Sequence, residues 1–159
     1  MVHLGGGSDK VYVQTDYLSY SYASLDVSSH AEVIGFKAGV LSDGGDILNF
    51  ENLHLQNNAA DPNSLIDHYQ RYTGSIRGDA TVVNFNSLKV DDAASLASFF
   101  DLEVNGATLN SLLVENSKMV FITRTVSDID NAANVWLWKD VSNDVGAGVS
   151  VDTSELTLL

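Results

Sequence analysis

Apolar residues along this chain gather in short runs with an alternating rhythm. Val11 and Val13 alternate with Tyr12 and Gln14, and Val135, Leu137 and Lys139 alternate with Trp136 and Trp138. Alternation with a period of two is the signature of a sheet with one buried face. Further runs rich in β-branched and aromatic residues cover Glu32 to Phe36, Ile47 to Leu55, Ala80 to Phe85, Met119 to Thr125 and Leu156 to Leu159, each bounded by Gly, Asn, Asp or Ser. All of these segments, with Lys10 to Gln14 and Val135 to Lys139, are expected to be strands.

Helical signals are fewer. Asp91 or Asp92 can cap a helix through Phe100, because Ala94, Leu96, Ala97 and Phe100 form an apolar stripe at helical spacing. Pro62 can open a short helix to about Tyr69, and Thr108 can cap the segment holding Leu109, Leu112 and Leu113. The expected fold is mainly β, a β-roll or β-sandwich-like cap with two or three short helices. Asn49-Phe50-Glu51-Asn52-Leu53 and Asn84-Phe85-Asn86-Ser87-Leu88 share an Asn-Phe-x-x-Leu pattern, which hints at a duplicated unit or at chance similarity between strand ends.

A chain of 159 residues with 45% hydrophobic content, one proline and no low-complexity tract can bury its own core, so a single domain over 1–159 is expected. The balance of 21 acidic to 8 basic residues leaves a net charge of −13. That field disfavours nucleic acid and anionic membranes, and its carboxylates suit hard cations. Cysteine is absent, which removes disulfides, thiolate metal sites and thiol catalysis. No run of apolar residues is long enough to span a bilayer, so no membrane insertion is expected. Met1 to Lys10 lacks a basic segment followed by an apolar core, so export would use an address other than an N-terminal signal peptide.

The candidate chemistry lies in acidic turns. Leu4-Gly5-Gly6-Gly7-Ser8-Asp9-Lys10-Val11-Tyr12 fits the nonapeptide G-G-x-G-x-D-x-U-x with Leu4 in place of the first glycine. In that motif glycines allow tight turns, carbonyls and the Asp9 carboxylate ligate calcium, and Val11 anchors the turn to the core. A flexible linker reads the same way. Gly44-Gly45-Asp46-Ile47-Leu48 repeats the combination of glycines, a carboxylate and an apolar anchor. Asp140-Val141-Ser142-Asn143-Asp144 offers oxygens at the first, third and fifth positions, but Val145 replaces the turn glycine of an EF-hand. Calcium there would draw on Asp152 or Glu155, the alternative being a hydrated loop.

These segments resemble the C-terminal region of the RTX (repeats-in-toxin) proteins exported by type I secretion. The likeness is carried by the degenerate repeat, by Ala31-Glu32-Val33-Ile34-Gly35-Phe36 leading to Gly44-Gly45-Asp46-Ile47-Leu48-Asn49-Phe50-Glu51-Asn52-Leu53, and by Asn134 to Asp144 followed by Glu155-Leu156-Thr157-Leu158-Leu159. The middle of the chain, from Gln56 to Lys118, lies outside it. Asn49 and Glu51 depart from the family's usual Asp and Ser, and no repeat array is present. The resemblance implies a non-catalytic, calcium-stabilised cap or secretion module, with 1–13 as a degenerate last repeat and 152–159 as the end of a C-terminal secretion signal. It implies calcium at Asp9, Asp46, Asp140 and Asp144, the type I secretion machinery as partner, and a secreted, extracellular or cell-surface location.

A self-assembling structural or adhesive subunit, such as a surface layer, filament or carbohydrate-binding module, is the alternative. Its contacts would be self-association or a cell-surface glycan, made by Tyr12, Tyr17, Tyr20 and Tyr22 or by Trp136 and Trp138 on one strand face, unless those rings pack into the core. Catalysis is not expected. His3, His30, His54 and His68 include no pair at metal-ligand spacing, and no nucleophile elbow, phosphate loop or dinucleotide fingerprint is present. The labile Asp61-Pro62 bond is expected to mark a helix start rather than a cleavage site.

Overall fold

A computed structural model of the protein describes residues 2–4, 8–12, 19–22, 30–34, 47–50, 53, 55–56, 69–104, 107–127, 133–141 and 149–159, giving the backbone alone for 2–49, 103–104, 107 and 111–112. The chain divides into two compact units, Met1–His54 with Leu159, and Leu55–Leu158.

In the first unit, β1 (Val2–Leu4), β2 (Ser8–Tyr12), β3 (Ser19–Tyr22), β4 (His30–Ile34) and β5 (Ile47–Asn49) pair only in parallel. Successive strands alternate between two sheets. One has the order β1-β3-β5 and the other is β2-β4. Val2 stands beside Tyr20, Ser19 beside Ile47, and Ser8 to Tyr12 run beside His30 to Ile34. Beyond β5, Phe50 and Leu53 are buried, with the Leu53 N–H donating to the Phe50 carbonyl at 2.8 Å.

The second unit is built on a five-stranded mixed sheet. β6 (Tyr69–Arg71) and β7 (Val82–Lys89) are parallel, and α1 (Ala93–Phe100) follows. A small hairpin of β8 (Glu103–Val104) and β9 (Ala107–Thr108) leads into a single 3-10 turn, Leu109–Leu112. β10 (Lys118–Arg124) returns parallel to β7, and β11 (Ala133–Lys139) and β12 (Leu156–Leu158) complete the sheet antiparallel, in the order β12-β11-β10-β7-β6. The mainly β expectation holds.

Alternation sorts the side chains of this sheet. Val83, Phe85, Met119, Phe121, Trp136 and Trp138 form the core with Leu96, Ala97 and Phe100 of α1. Phe85 meets Phe99, Phe100 and Phe121 edge to face at 5.3 to 5.8 Å, and Phe121 stacks on Trp138 at 5.8 Å. Each such ring withdraws enough apolar surface to favour folding by about 1.5–3 kcal/mol. The opposite face is buried at Val82, Val120 and Leu137 and opens toward Asn84, Ile122 and Val135.

The helix begins where its cap predicts. Asp92 Oδ1 accepts the Ser95 N–H at 2.7 Å and Oδ2 accepts the Ser95 hydroxyl at 2.8 Å, satisfying an otherwise orphaned donor. Thr108 behaves differently: its side chain makes no cap bond, and the turn after it ends at extended Leu113. Pro62 lies outside the described residues, while Tyr69, the expected end of its helix, is in β6. The paired Asn-Phe-x-x-Leu segments are not equivalent, since Phe50 follows the end of β5 and Phe85 sits inside β7.

Candidate functional site

The acidic turn after β11 is the one proposed metal turn with described side chains. Asp140 follows the last residue of the strand. Its N–H donates to the Ser117 carbonyl at 3.0 Å, and its Oδ2 accepts the Asn116 N–H at 2.6 Å. Asn116 holds a left-handed backbone, φ 62°, a conformation that Asn tolerates better than most residues. Asp140 thereby ties the turn before β10 to the end of β11.

Glu155 lies next to this turn. It is 5% exposed, and both oxygens face donors: Oε1 accepts the Val141 N–H at 2.9 Å, while Oε2 accepts the Trp138 indole N–H at 3.0 Å and the Asp152 N–H at 3.2 Å. Oxygens that meet three N–H dipoles present the wrong surroundings for a cation, so Glu155 does not fit the role of completing calcium ligand. It fastens the 3-10 turn Thr153–Glu155 and β12 to β11. The signal for this role is in the sequence: Asp152-Thr153-Ser154-Glu155 has capping-box spacing just before an apolar run.

Of the other candidates, Asp9 lies in β2 opposite Ala31, where only its backbone is described. Asp46 and Asp144 lie outside the described residues, as do Asp61 and Pro62. Among the described residues no group of three or more His, Asp or Glu side chains could hold a metal. Among the described residues no helix is long and apolar enough to cross a membrane.

The tryptophan pair is not a binding platform. Trp136 and Trp138 are 3% and 0% exposed, and the indole N–H of Trp136 donates to Thr123 Oγ1 at 3.0 Å. Their shared face is the core face, and each polar tip has a partner, as burial requires. No protein-family model matches the chain, and no match is found among curated proteins or solved structures.

The sheet carries a second feature. Arg71, Lys89, Lys118, Arg124 and Lys139, five of the eight basic residues, lie on its strands, and none of the 21 acidic residues does. Lys118 and Lys139 are direct partners in the antiparallel register. Burial, and then the Lys139 ammonium, lower the Lys118 pKa from the ordinary lysine value.

Proposed function

We propose that this chain is a non-catalytic, calcium-stabilised terminal module of RTX type from a type I secreted surface protein. The observation that supports this reading is the connectivity of the first unit, where strands visit two parallel sheets in turn. A chain that coils through two facing parallel sheets follows this order, and glycine-rich links suit its turns. Gly5-Gly6-Gly7 joins β1 to β2, and the stretch joining β4 to β5 ends in Gly44-Gly45-Asp46. Stacked coils leave open edges, so an array of them needs a dissimilar unit at its end.

Calcium is the natural staple for such a unit in a chain without cysteine. With Glu155 committed to N–H donors, Asp9 and Asp46 are the carboxylates that would hold the ion, each between glycines and an apolar anchor, Val11 or Leu48. A cation bound only by the folded state stabilises that state by mass action, so the acidic chain would stay unfolded where calcium is scarce and fold outside the cell.

Calorimetric scans of the whole chain with chelator, calcium or magnesium test this reading. Calcium should raise Tm and magnesium far less, because flexible oxygen-rich turns suit six to eight ligands at about 2.3–2.6 Å better than a rigid octahedron. Asp9→Ala and Asp46→Ala should each weaken calcium binding in titration. Equal midpoints in all three buffers would remove calcium from the proposal.

A further inference from the structure

We propose that the turn between β6 and β7 attaches the protein to a receptor that holds a divalent cation, with one coordination position open, beside an acidic pocket. The turn reads Arg77-Gly78-Asp79, a cation and a carboxylate separated by bare backbone. Ile76 before it and Ala80 after it are buried in the core of the second unit, and the three residues between these anchors are exposed. The Ala80 N–H donates to the Arg77 carbonyl at 3.1 Å, closing a β-turn with Gly78 and Asp79 at its centre. Gln70 of β6 braces the approach: its Oε1 accepts the Arg77 N–H at 2.8 Å, and its Nε2 donates to the Ser75 carbonyl at 2.8 Å. A tripeptide held in this way meets a partner with little further ordering to pay in entropy.

Gly78 is the residue that the fold leaves unexplained. Gly74, earlier in the same connection, has φ 103° and uses the freedom of glycine. Gly78 does not. Neither Gly78 nor Asp79 has a positive φ, so most residue types could form their turn, and a Cβ built on Gly78 would meet nothing within 4 Å. Bare backbone at an open turn suits the close approach of another surface.

The flanking side chains define what that surface carries. Arg77 Nε and Asp79 Oδ1 stand 3.3 Å apart, yet the two side chains remain 54% and 59% exposed while paired. An exposed ion pair holds its members weakly and yields to better partners. A guanidinium takes a carboxylate in two-pronged fashion, and a carboxylate suits a hard cation that still has a position to fill. A chain of net charge −13 is also drawn toward a bound cation. The ion belongs to the receptor, so the inference is independent of the terminal-module reading and of calcium in the first unit.

The test measures binding of the whole chain to an immobilised integrin ectodomain, chosen for its capture of a synthetic Arg-Gly-Asp peptide. Calcium and magnesium are present in every arm, so the stability of the chain is the same throughout. The parent protein should bind, and the free peptide should displace it. Gly78→Ala should raise Kd about 30-fold or more, because its methyl group blocks the approach, while the urea midpoint and tryptophan fluorescence stay unchanged. Asp79→Glu should weaken binding as much: a lysine on the partner would follow the longer side chain, and a metal at a fixed position would not. Lys139→Ala, on β11 with two strands between it and β6, should bind as the parent does. Absent binding by the parent chain, or binding that the peptide leaves in place, would overturn the proposal. So would parental affinity in Gly78→Ala or Asp79→Glu, or a lowered urea midpoint in Gly78→Ala, which would show that the turn itself requires glycine.

Discussion

Replacing Glu155 by glutamine probes how the last strand is held to the sheet. The carboxylate accepts at both oxygens, from Val141 through Oε1 and from Trp138 and Asp152 through Oε2. Glutamine has one acceptor oxygen. Turned toward Trp138 and Asp152, it keeps two bonds and sets its amino group against the Val141 N–H; turned the other way, it keeps one and opposes two donors. The first orientation is the lesser loss. It removes one charge-assisted bond, typically about 1.5–3 kcal/mol, and reduces the two survivors to neutral strength, so the expected destabilisation is about 2–4 kcal/mol. Urea unfolding followed by tryptophan fluorescence measures it, because Trp138 reports directly on this contact. A cycle with Trp138→Phe should return a coupling of about 0.5–3 kcal/mol, since the two side chains share a bond. A Glu155→Gln variant within about 0.5 kcal/mol of the parent protein would refute this account of the clasp, because that is the effect of a change at an inert surface site.

Two other substitutions test the helix. Leu96 is fully buried in the core of the second unit, so Leu96→Ala should lower unfolding free energy by about 2–5 kcal/mol with little change in denaturant slope; a surface-like response would contradict its placement. Asp92→Asn keeps a capping oxygen but removes the charge. The Ser95 N–H, then the Ser95 hydroxyl, lower the Asp92 pKa in the folded protein from the ordinary aspartate value. Its charge therefore contributes stability above the unfolded-state pKa, and that contribution fades as pH falls through the lowered folded value. Urea midpoints of the two proteins should converge across that acid range, and a gap independent of pH would argue against the cap.

Local chemistry marks β2, β4, β5, β7, β10, β11, β12 and α1, but not the short β1, β3, β6, β8 and β9. The alternation around Trp136 and Trp138 marks β11, and Asp92 three residues before Ser95 marks the start of α1. Pairing is a different matter. Nothing in Val82–Lys89 states that it runs parallel to both Tyr69–Arg71 and Lys118–Arg124, since register depends on burial shared among distant segments. The division of the chain after His54 is hidden for the same reason, as composition hardly changes there. The face of β11 could not be chosen from alternation because both sides carry buried residues, Trp136 and Trp138 on one and Leu137 on the other.

Acidic residues invite a metal reading wherever they cluster in turns, yet a carboxylate's surroundings determine its use. Glu155 and Asp140 show how a ligand type becomes a structural acceptor: backbone N–H groups left over at a strand end and a 3-10 turn need oxygen partners, and the nearest carboxylates supply them. The Asp152-x-x-Glu155 spacing carries that information, and weighing it beside the metal pattern would have separated the two roles. That the sheet strands carry cations and no carboxylate also follows from the sequence once strands are assigned, because it needs only the count of charges within them. A strand that presents one face to the core has half its positions available for charge. Here those positions hold the apolar Val82, Val120, Ile122, Val135 and Leu137 together with lysine and arginine, and no carboxylate, in a chain with 21 acidic residues to draw on.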